Sequence, residues 1–335
     1  MKAIVIRNGF GLDNIVTEDR PDPVPGAGQV LVRVRAASLN YRDLMLAKGQ
    51  YNPRLAFPRV LGSDCSGEVI AVGEGVAAYR VGDRVANTFM PLWIDGPISE
   101  TFAKATYGSE RDGVLSELAV FDETAVVRIP GGLSFEEAAT LPCAAVTAWN
   151  ALTAANCGPG TTVLLQGTGG VSIFALQLSK ALGATVLITS GHDDKLARAL
   201  SLGADVGVNY RTNPDWEKWA RQQTVGTGVD VVIEVGGAGT LDRSLKAVRY
   251  GGHVALIGVL AGPGTFNPMS ILMKAVRVQG VFVGSRAMFE AMNRVIESHA
   301  IRPVIDRVFP LAEATAAFRH LESGAHFGKV VVSVS

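Results

Sequence analysis

The stretch Val163-Leu164-Leu165-Gln166-Gly167-Thr168-Gly169-Gly170-Val171-Ser172 decides how this chain is read. A short apolar strand runs into a glycine-rich turn, and an apolar helix over 171–182 opens directly after it and stops at Gly183. Glycines let a backbone approach a pyrophosphate closely, and the positive end of a helix dipole stabilises the phosphate there. The glycine turn alone is weak evidence, and Ser172 stands where the third glycine of the pattern would be. The context is stronger: strand, turn, helix, then a second strand about 20 residues on. An ordinary turn packed tightly on its helix is the alternative.

Working outward, the same rhythm continues. The second strand covers 185–189, and a helix over 195–202 stops at Gly203. Further strands fall at 206–209, 230–235, 254–259 and 276–283, giving six. Continuous Val/Ile/Leu strands alternating with helices predict a doubly wound parallel sheet covered on both faces. Residues 1–126 read differently. The segment 29–37 alternates Val and Leu with Arg, as a half-buried strand does. Residues 67–72 end at Gly73-Glu74-Gly75, and Gly82-Asp83-Arg84-Val85 suits a tight turn entering another strand. Short strands punctuated by Gly and Pro predict a partly open β-barrel. After Gly284 come two helices, 288–297 and 312–322, and a last strand, 329–334. The α/β block, 127–284, therefore reads as inserted into a β-rich domain made of 1–126 and 285–335.

Composition bounds the function. A chain of 335 residues exceeds the roughly 100–200 of one domain, so two domains are expected. Hydrophobic residues are 48% and charged residues 19%, as in a well-buried enzyme. Lys+Arg and Asp+Glu are both 31, which disfavours nucleic acid or an anionic membrane as partner. The three cysteines, Cys65, Cys143 and Cys157, are too few and too scattered for a disulfide framework or a four-cysteine zinc site. With no export signal or long apolar run, a cytoplasmic protein is expected. The 38 glycines show no repeat, so they belong to turns and close backbone approaches.

Cofactor type turns on the end of the second strand. An NAD-preferring site places Asp or Glu there to accept from the ribose hydroxyls. Here Ile188-Thr189-Ser190-Gly191 has no acid and is followed by Lys195. Small hydroxyls and a nearby ammonium suit a 2′-phosphate, so NADP(H) is expected. Asp193 and Asp194 sit where a helix begins and are read as capping it and complementing its dipole.

With these residues in view, the chain resembles the medium-chain dehydrogenase/reductase superfamily along essentially its whole length. It is most similar to the zinc-free quinone oxidoreductase and enoyl reductase branch. The segments that carry the likeness are Ser38-Leu39-Asn40-Tyr41-Arg42-Asp43, Gly49-Gln50-Tyr51 and Leu61-Gly62-Ser63-Asp64-Cys65-Ser66-Gly67. Val81-Gly82-Asp83-Arg84-Val85, Leu141-Pro142-Cys143-Ala144-Ala145-Val146-Thr147, the glycine turn and Gly328-Lys329-Val330-Val331 complete them. The resemblance implies a GroES-like catalytic domain, a Rossmann domain and a cleft between them. It implies a cofactor set of Thr147, Gly167, Thr168, Gly169, Gly170, Val171, Ser190, Gly191, Lys195, Tyr210, Gly258, Val283 and Lys329. Relatives commonly dimerise through the last Rossmann strand, whose apolar run 278–283 would lie at a sheet edge. A homodimer is expected.

The resemblance also frames the metal question. Zinc alcohol dehydrogenases of this superfamily carry Cys where Asn40 stands, His where Ser63 stands, and Cys where Cys143 stands. One thiolate beside Asp64 does not make the three-ligand open site of a catalytic zinc, so no metal is expected. A carbonyl or enone then needs hydrogen-bond donors in place of a Lewis acid. Asn40 offers an amide, and Tyr51, where reductases of this branch carry a tyrosine, offers a phenol as proton donor. Tyr41 and Arg42 are the fallback candidates. The stretch 88–112, bearing Trp93, Phe102 and Tyr107, is expected either to roof a substrate cleft or to form an oligomer contact. The reading is an NADPH-dependent, zinc-independent reductase of an apolar quinone, enone or related carbonyl. Alcohol oxidation without zinc and a non-catalytic NADPH-binding protein are the alternatives.

Overall fold

The computed structural model describes residues 1–258, 260 and 264–334. The chain divides into two compact units, Met1–Val146 with Gly284–Ser335, and Thr147–Val283.

The second unit is built on six parallel strands: Thr162–Gln166, Thr185–Ser190, Val206–Asn209, Val229–Glu234, Val248–Leu256 and Arg277–Gly280. Their spatial order is third, second, first, fourth, fifth, sixth. This is the doubly wound Rossmann order, which reverses direction between the first and fourth strands. Val163, Leu164 and Leu165 are all fully buried, as are Val232 and Ile233. Successive side chains of a strand point to opposite faces, so such runs require both faces of the sheet to be covered. The last strand ends at Gly280, short of the expected 283, and it is an edge strand. The fifth begins earlier than expected, at Val248, and the expected end at Val259 lies outside the described residues.

The first unit carries a seven-stranded sheet and a three-stranded one. In the larger sheet the C-terminal strand Lys329–Ser333 lies between Ile305–Pro310 and Gln29–Leu39. Residues nearly 300 positions apart in sequence therefore share one ladder, and the unit cannot close without both ends of the chain. Gln29–Leu39 pairs in turn with Asp64–Val72, which pairs with Arg84–Asn87, and that with Val126–Arg128. Ile4, Leu39, Leu44, Leu61, Phe318 and Val330 share the core of this unit. The strand Ile305–Pro310 escapes sequence reading because Asp306 and Arg307 interrupt its apolar pattern.

The first boundary between units corrects the one expected at 126/127, since it falls at 146/147. Two contacts place the intervening residues with the first unit. Ala139, closing the helix Phe135–Ala139, packs on Ala36 and Val331. The amide of Cys143, in a π-helical turn Leu141–Ala145, donates to Asp64 Oδ2 at 2.9 Å. Among the described residues no helix is long and apolar enough to cross a membrane.

Candidate active site and cofactor loop

The glycine turn joins the strand Thr162–Gln166 to the helix Gly170–Ala181. Gly167 has φ +68°, which favours glycine, and Gly169 is the N-cap of the helix Gly170–Ala181. Gly169 has ordinary backbone angles, and a Cβ built on it would meet no protein atom within 4 Å. Neither strain nor the protein's own packing demands glycine at 169. The space beside this backbone at the helix N-terminus is open, as the approach of a pyrophosphate would require. Thr168 is buried beside it. Ser172, in place of the third glycine, is 2% exposed, and its hydroxyl donates to Gln166 O at 2.7 Å, tying helix to strand.

Sequence reasoning missed the device that fixes this turn. Glu234 is fully buried at the end of the fourth strand. One carboxylate oxygen accepts from the amides of Gly236 and Gly237 at 2.8 and 2.9 Å and from Thr240 Oγ1 at 2.6 Å. The other accepts from Gln166 Nε2 at 2.8 Å and from the Ser244 hydroxyl. Gln166 is the residue before Gly167, so the carboxylate bolts the turn to the neighbouring strand end. Gly258 belongs to the same cluster: its amide donates to Glu234 O, and a Cβ there would overlap the Val235 carbonyl. The signal was present: TVLLQ and VDVVIE are apolar strands that each close on a polar residue. Glu234→Ala strands several buried donors, each costing about 1–3 kcal/mol, offset in part by local rearrangement. A fall of about 2–3 kcal/mol in the stability of this unit is expected, read from its urea midpoint.

At the end of the second strand, Ser190 and Gly191 are buried and Tyr210 N donates to Ser190 O at 2.9 Å. A Cβ on Gly191 would sit 2.6 Å from Tyr210 Oη and 3.2 Å from Arg211 Nε. Gly191, Tyr210 and Arg211 are thus brought together, and Arg211 was not among the expected residues. Lys195 lies on the first turn of the helix Asp193–Ser201. Asp193 and Asp194 occupy that turn too, behind an N-cap at His192, so they complement the dipole without capping. Thr147 is buried near the start of Val146–Ala154, and Val283 adopts φ +54° with its carbonyl accepting from Asn150 Nδ2 at 2.7 Å.

The first unit holds a second polar cluster. Asn40 is 7% exposed and precedes the helix Tyr41–Ala47, its amide donating to Asp43 Oδ2 at 2.8 Å. Asn40 Nδ2 lies 3.3 Å from Ser63 Oγ, and Ser63 Oγ donates to Asp64 Oδ1 at 2.7 Å. Lys329, expected on the cofactor, lies in this cluster. It is 3% exposed, and Nζ donates to Asn40 Oδ1 at 2.6 Å and Leu39 O at 2.7 Å. Burial pushes the Lys329 pKa down and that of Asp64 up, while their mutual attraction opposes both shifts. Burial likewise lifts Asp43 to about 6 against the pull of Arg42.

Arg42 connects the cluster to Tyr51. Its guanidinium donates to Tyr107 O at 2.9 Å and lies 5.0 Å from the Tyr51 ring centre and 4.9 Å from that of Phe89. Burial raises the Tyr51 pKa and the neighbouring Arg42 charge counters it, so the phenol keeps its proton through the neutral range. Tyr41 is exposed and touches none of this cluster's polar groups among the described residues. The stretch 88–112 turns its bulk inward: Phe89, Met90, Trp93 and Tyr107 are buried, and Trp93 stacks on Phe102 at 6.5 Å. The Arg286 amide donates to Trp93 O at 2.9 Å, pinning the stretch to the helix Arg286–Ser298 of the same unit.

The three positions where zinc ligands would stand do converge, yet the donor set does not fit the metal. Asn40 and Ser63 offer neutral oxygens and an amide, and burial pushes the Cys143 thiol pKa far up, away from the thiolate that zinc needs. The Lys329 ammonium stands among them. Among the described residues no group of three or more His, Cys, Asp or Glu could hold a metal ion.

Fold and site together define an oxidoreductase built on a nucleotide-binding Rossmann unit and a GroES-like unit. Family models match both: an alcohol dehydrogenase GroES-like domain over residues 26–131 and a zinc-binding dehydrogenase domain over 170–298. A zinc-type alcohol dehydrogenase-like protein of Schizosaccharomyces pombe is 42% identical, over 97% of this chain and 96% of its own. Acryloyl-coenzyme A reductase of Metallosphaera sedula is 30% identical over 99% and 100%, and quinone oxidoreductase of Lama guanicoe 31% over 99% and 97%. Among solved structures, a putative alcohol dehydrogenase from Sinorhizobium meliloti superposes with TM-score 0.91 at 40% identity, covering 99% and 98%. An NAD-dependent alcohol dehydrogenase does so at 0.91 and 36%, and a mycobacterial protein complexed with NADPH at 0.83 and 28%, each covering the whole of both chains. The chain belongs to the medium-chain dehydrogenase/reductase superfamily.

Proposed function

We propose that this oxidoreductase is an NADPH-dependent, zinc-independent reductase of quinones, enones or related activated carbonyls and alkenes. The observation that carries it is the pair of clusters just described: a glycine turn that keeps the first two glycines of the pattern, Gly167 and Gly169, and a polar cluster with a lysine among the positions of a catalytic metal. When bound, the reduced nicotinamide supplies a hydride to an electrophilic carbon. The chain then has to supply a proton and donors to the oxygen on which negative charge develops. Tyr51 holds that proton, and Arg42, stacked on its ring, favours the charge left behind. Asn40, with its carbonyl oxygen taken by Lys329, offers as donor the side-chain amide hydrogen that Ser63 does not accept.

The absence of an acid at Ile188-Thr189-Ser190-Gly191 supports NADPH, with Lys195 and Tyr210 toward the 2′-phosphate. Relatives named for acryloyl-coenzyme A and quinone reduction support the activated-alkene side of the reading. We also propose a homodimer joined at the edge strand Arg277–Gly280, whose outer backbone groups are unpaired in the sheet. The test is cofactor oxidation by chelator-dialysed enzyme against a panel of quinones, 2-enals and ketones. Turnover with at least a tenfold preference for NADPH over NADH in kcat/KM is expected. Equal use of both cofactors, or activity restored only by zinc, overturns the reading.

A further inference from the structure

The Rossmann unit carries a polar cavity at the end of its sheet away from the glycine turn. Thr161 stands just before the first strand, Asp230 near the start of the fourth and Arg277 at the start of the sixth. Gly167 follows the far end of the first strand, which spans about 17 Å. The cavity holds about 310 Å³, and Asn156, Arg249 and His253 complete its polar lining. That volume is in the range of small-ligand sites. All of these residues belong to the one unit.

Strand pairing builds the cavity. Val229 pairs with Val248 and Val231 with His253, so residues 249–252 bulge out opposite the single residue Asp230. Arg249 returns from the bulge to that carboxylate, Nε donating to Oδ1 at 2.5 Å, while Oδ2 accepts from the Thr162 amide at 2.7 Å. His253 is the register partner of Arg277 on the next parallel strand, and such partners send their side chains to the same face. Arg277 is exposed, and among the described residues it has no carboxylate partner. Asp230 offsets Arg249, so Arg277 is the uncompensated charge of the lining.

His253 is 5% exposed, and neither of its ring nitrogens has a hydrogen-bond partner among the described residues. Burial and the Arg277 charge both lower its pKa, so the ring is neutral, with one nitrogen a donor and the other an acceptor. Buried polar atoms are rarely left unmet, and two on one ring call for a ligand that both accepts and donates. The free guanidinium calls for an anion, which it can grip through parallel charge-assisted bonds. The Thr161 hydroxyl accepts from the Gly158 amide at 3.1 Å and so keeps its own hydrogen to donate.

We propose that this cavity is a binding site for a small oxyanion that carries a hydrogen, inorganic phosphate, held by Arg277 and His253 at the end of the sheet opposite the glycine turn. The test is calorimetric titration of the whole chain with inorganic phosphate and with sulfate at neutral pH. NADH and NADPH, present throughout, keep phosphate off the glycine turn. Wild-type protein should take up phosphate with a dissociation constant below about 1 mM, and sulfate, which has no hydrogen to donate, at least about tenfold more weakly. Arg277→Gln should lower phosphate affinity about tenfold, the share of one strong charged contact, and because Arg277 is exposed the core is untouched. His253→Phe should weaken phosphate as well, and should raise the urea midpoint of the phosphate-free protein, since an apolar ring needs no partners. Absence of saturable phosphate binding overturns the proposal. So does wild-type affinity in Arg277→Gln, or sulfate bound as tightly as phosphate.

Discussion

Tyr51→Phe is expected to lower kcat about 100-fold while KM changes by less than about threefold, the usual loss when a positioned proton donor is removed. The substitution isolates the hydroxyl. The phenylalanine ring keeps its place against the core and under the Arg42 guanidinium, 5.0 Å away, so neither packing nor the cation contact is lost. Burial raises the Tyr51 pKa, which keeps the donor form populated from acid through neutral pH. The wild-type rate should therefore stay flat across that range and fall only above about pH 10, where a phenol ionises. That alkaline limb should vanish in the variant. A phenylalanine variant with wild-type turnover would remove Tyr51 from the chemistry and leave Asn40 as the sole donor.

Lys329→Met should give the largest loss of stability, about 3–5 kcal/mol, because it breaks a buried charge cluster from one side. The ammonium is the counter-charge of Asp64, which is 0% exposed, and the hydrogen-bond donor to Asn40 Oδ1 and Leu39 O. Methionine fills similar space and satisfies none of these. Asp64 keeps neutral donors alone, among them Ser63 Oγ at 2.7 Å and the Cys143 amide at 2.9 Å. Adding Asp64→Asn to the methionine variant should recover more than half of the loss, since the orphaned charge disappears with it. Strict additivity of the two substitutions in denaturant midpoints would show that the pair is uncoupled and that Lys329 acts elsewhere, as a cofactor ligand would. The lysine also anchors the last strand to the first long one, so the loss should be confined to the unit that both chain ends build.

Much of this was legible in the residues. The apolar runs at Val163–Leu165 and Val231–Ile233 could only be parallel strands buried on both faces, and hydrophobic burial put them there. Gly167 needs its positive φ, and Gly169 opens on free space at the helix N-terminus. Local chemistry of this kind is written in neighbouring residues, and neighbouring residues are what a sequence displays.

Other features depend on residues far apart. The boundary at 146 was missed because its cause, Ala139 on Ala36 and Val331, joins three distant segments. Lys329 stands near the C-terminus, where the family resemblance puts it on the cofactor. Antiparallel pairing with Gln29–Leu39 carries its ammonium to Asn40. The sequence by itself determined the layer architecture and the glycine turn, because periodicity and residue type control both of them locally. Tertiary structure alone decided where the buried charges went. An ion leaves water only when another is waiting for it, and here that partner comes from nearly the other end of the chain.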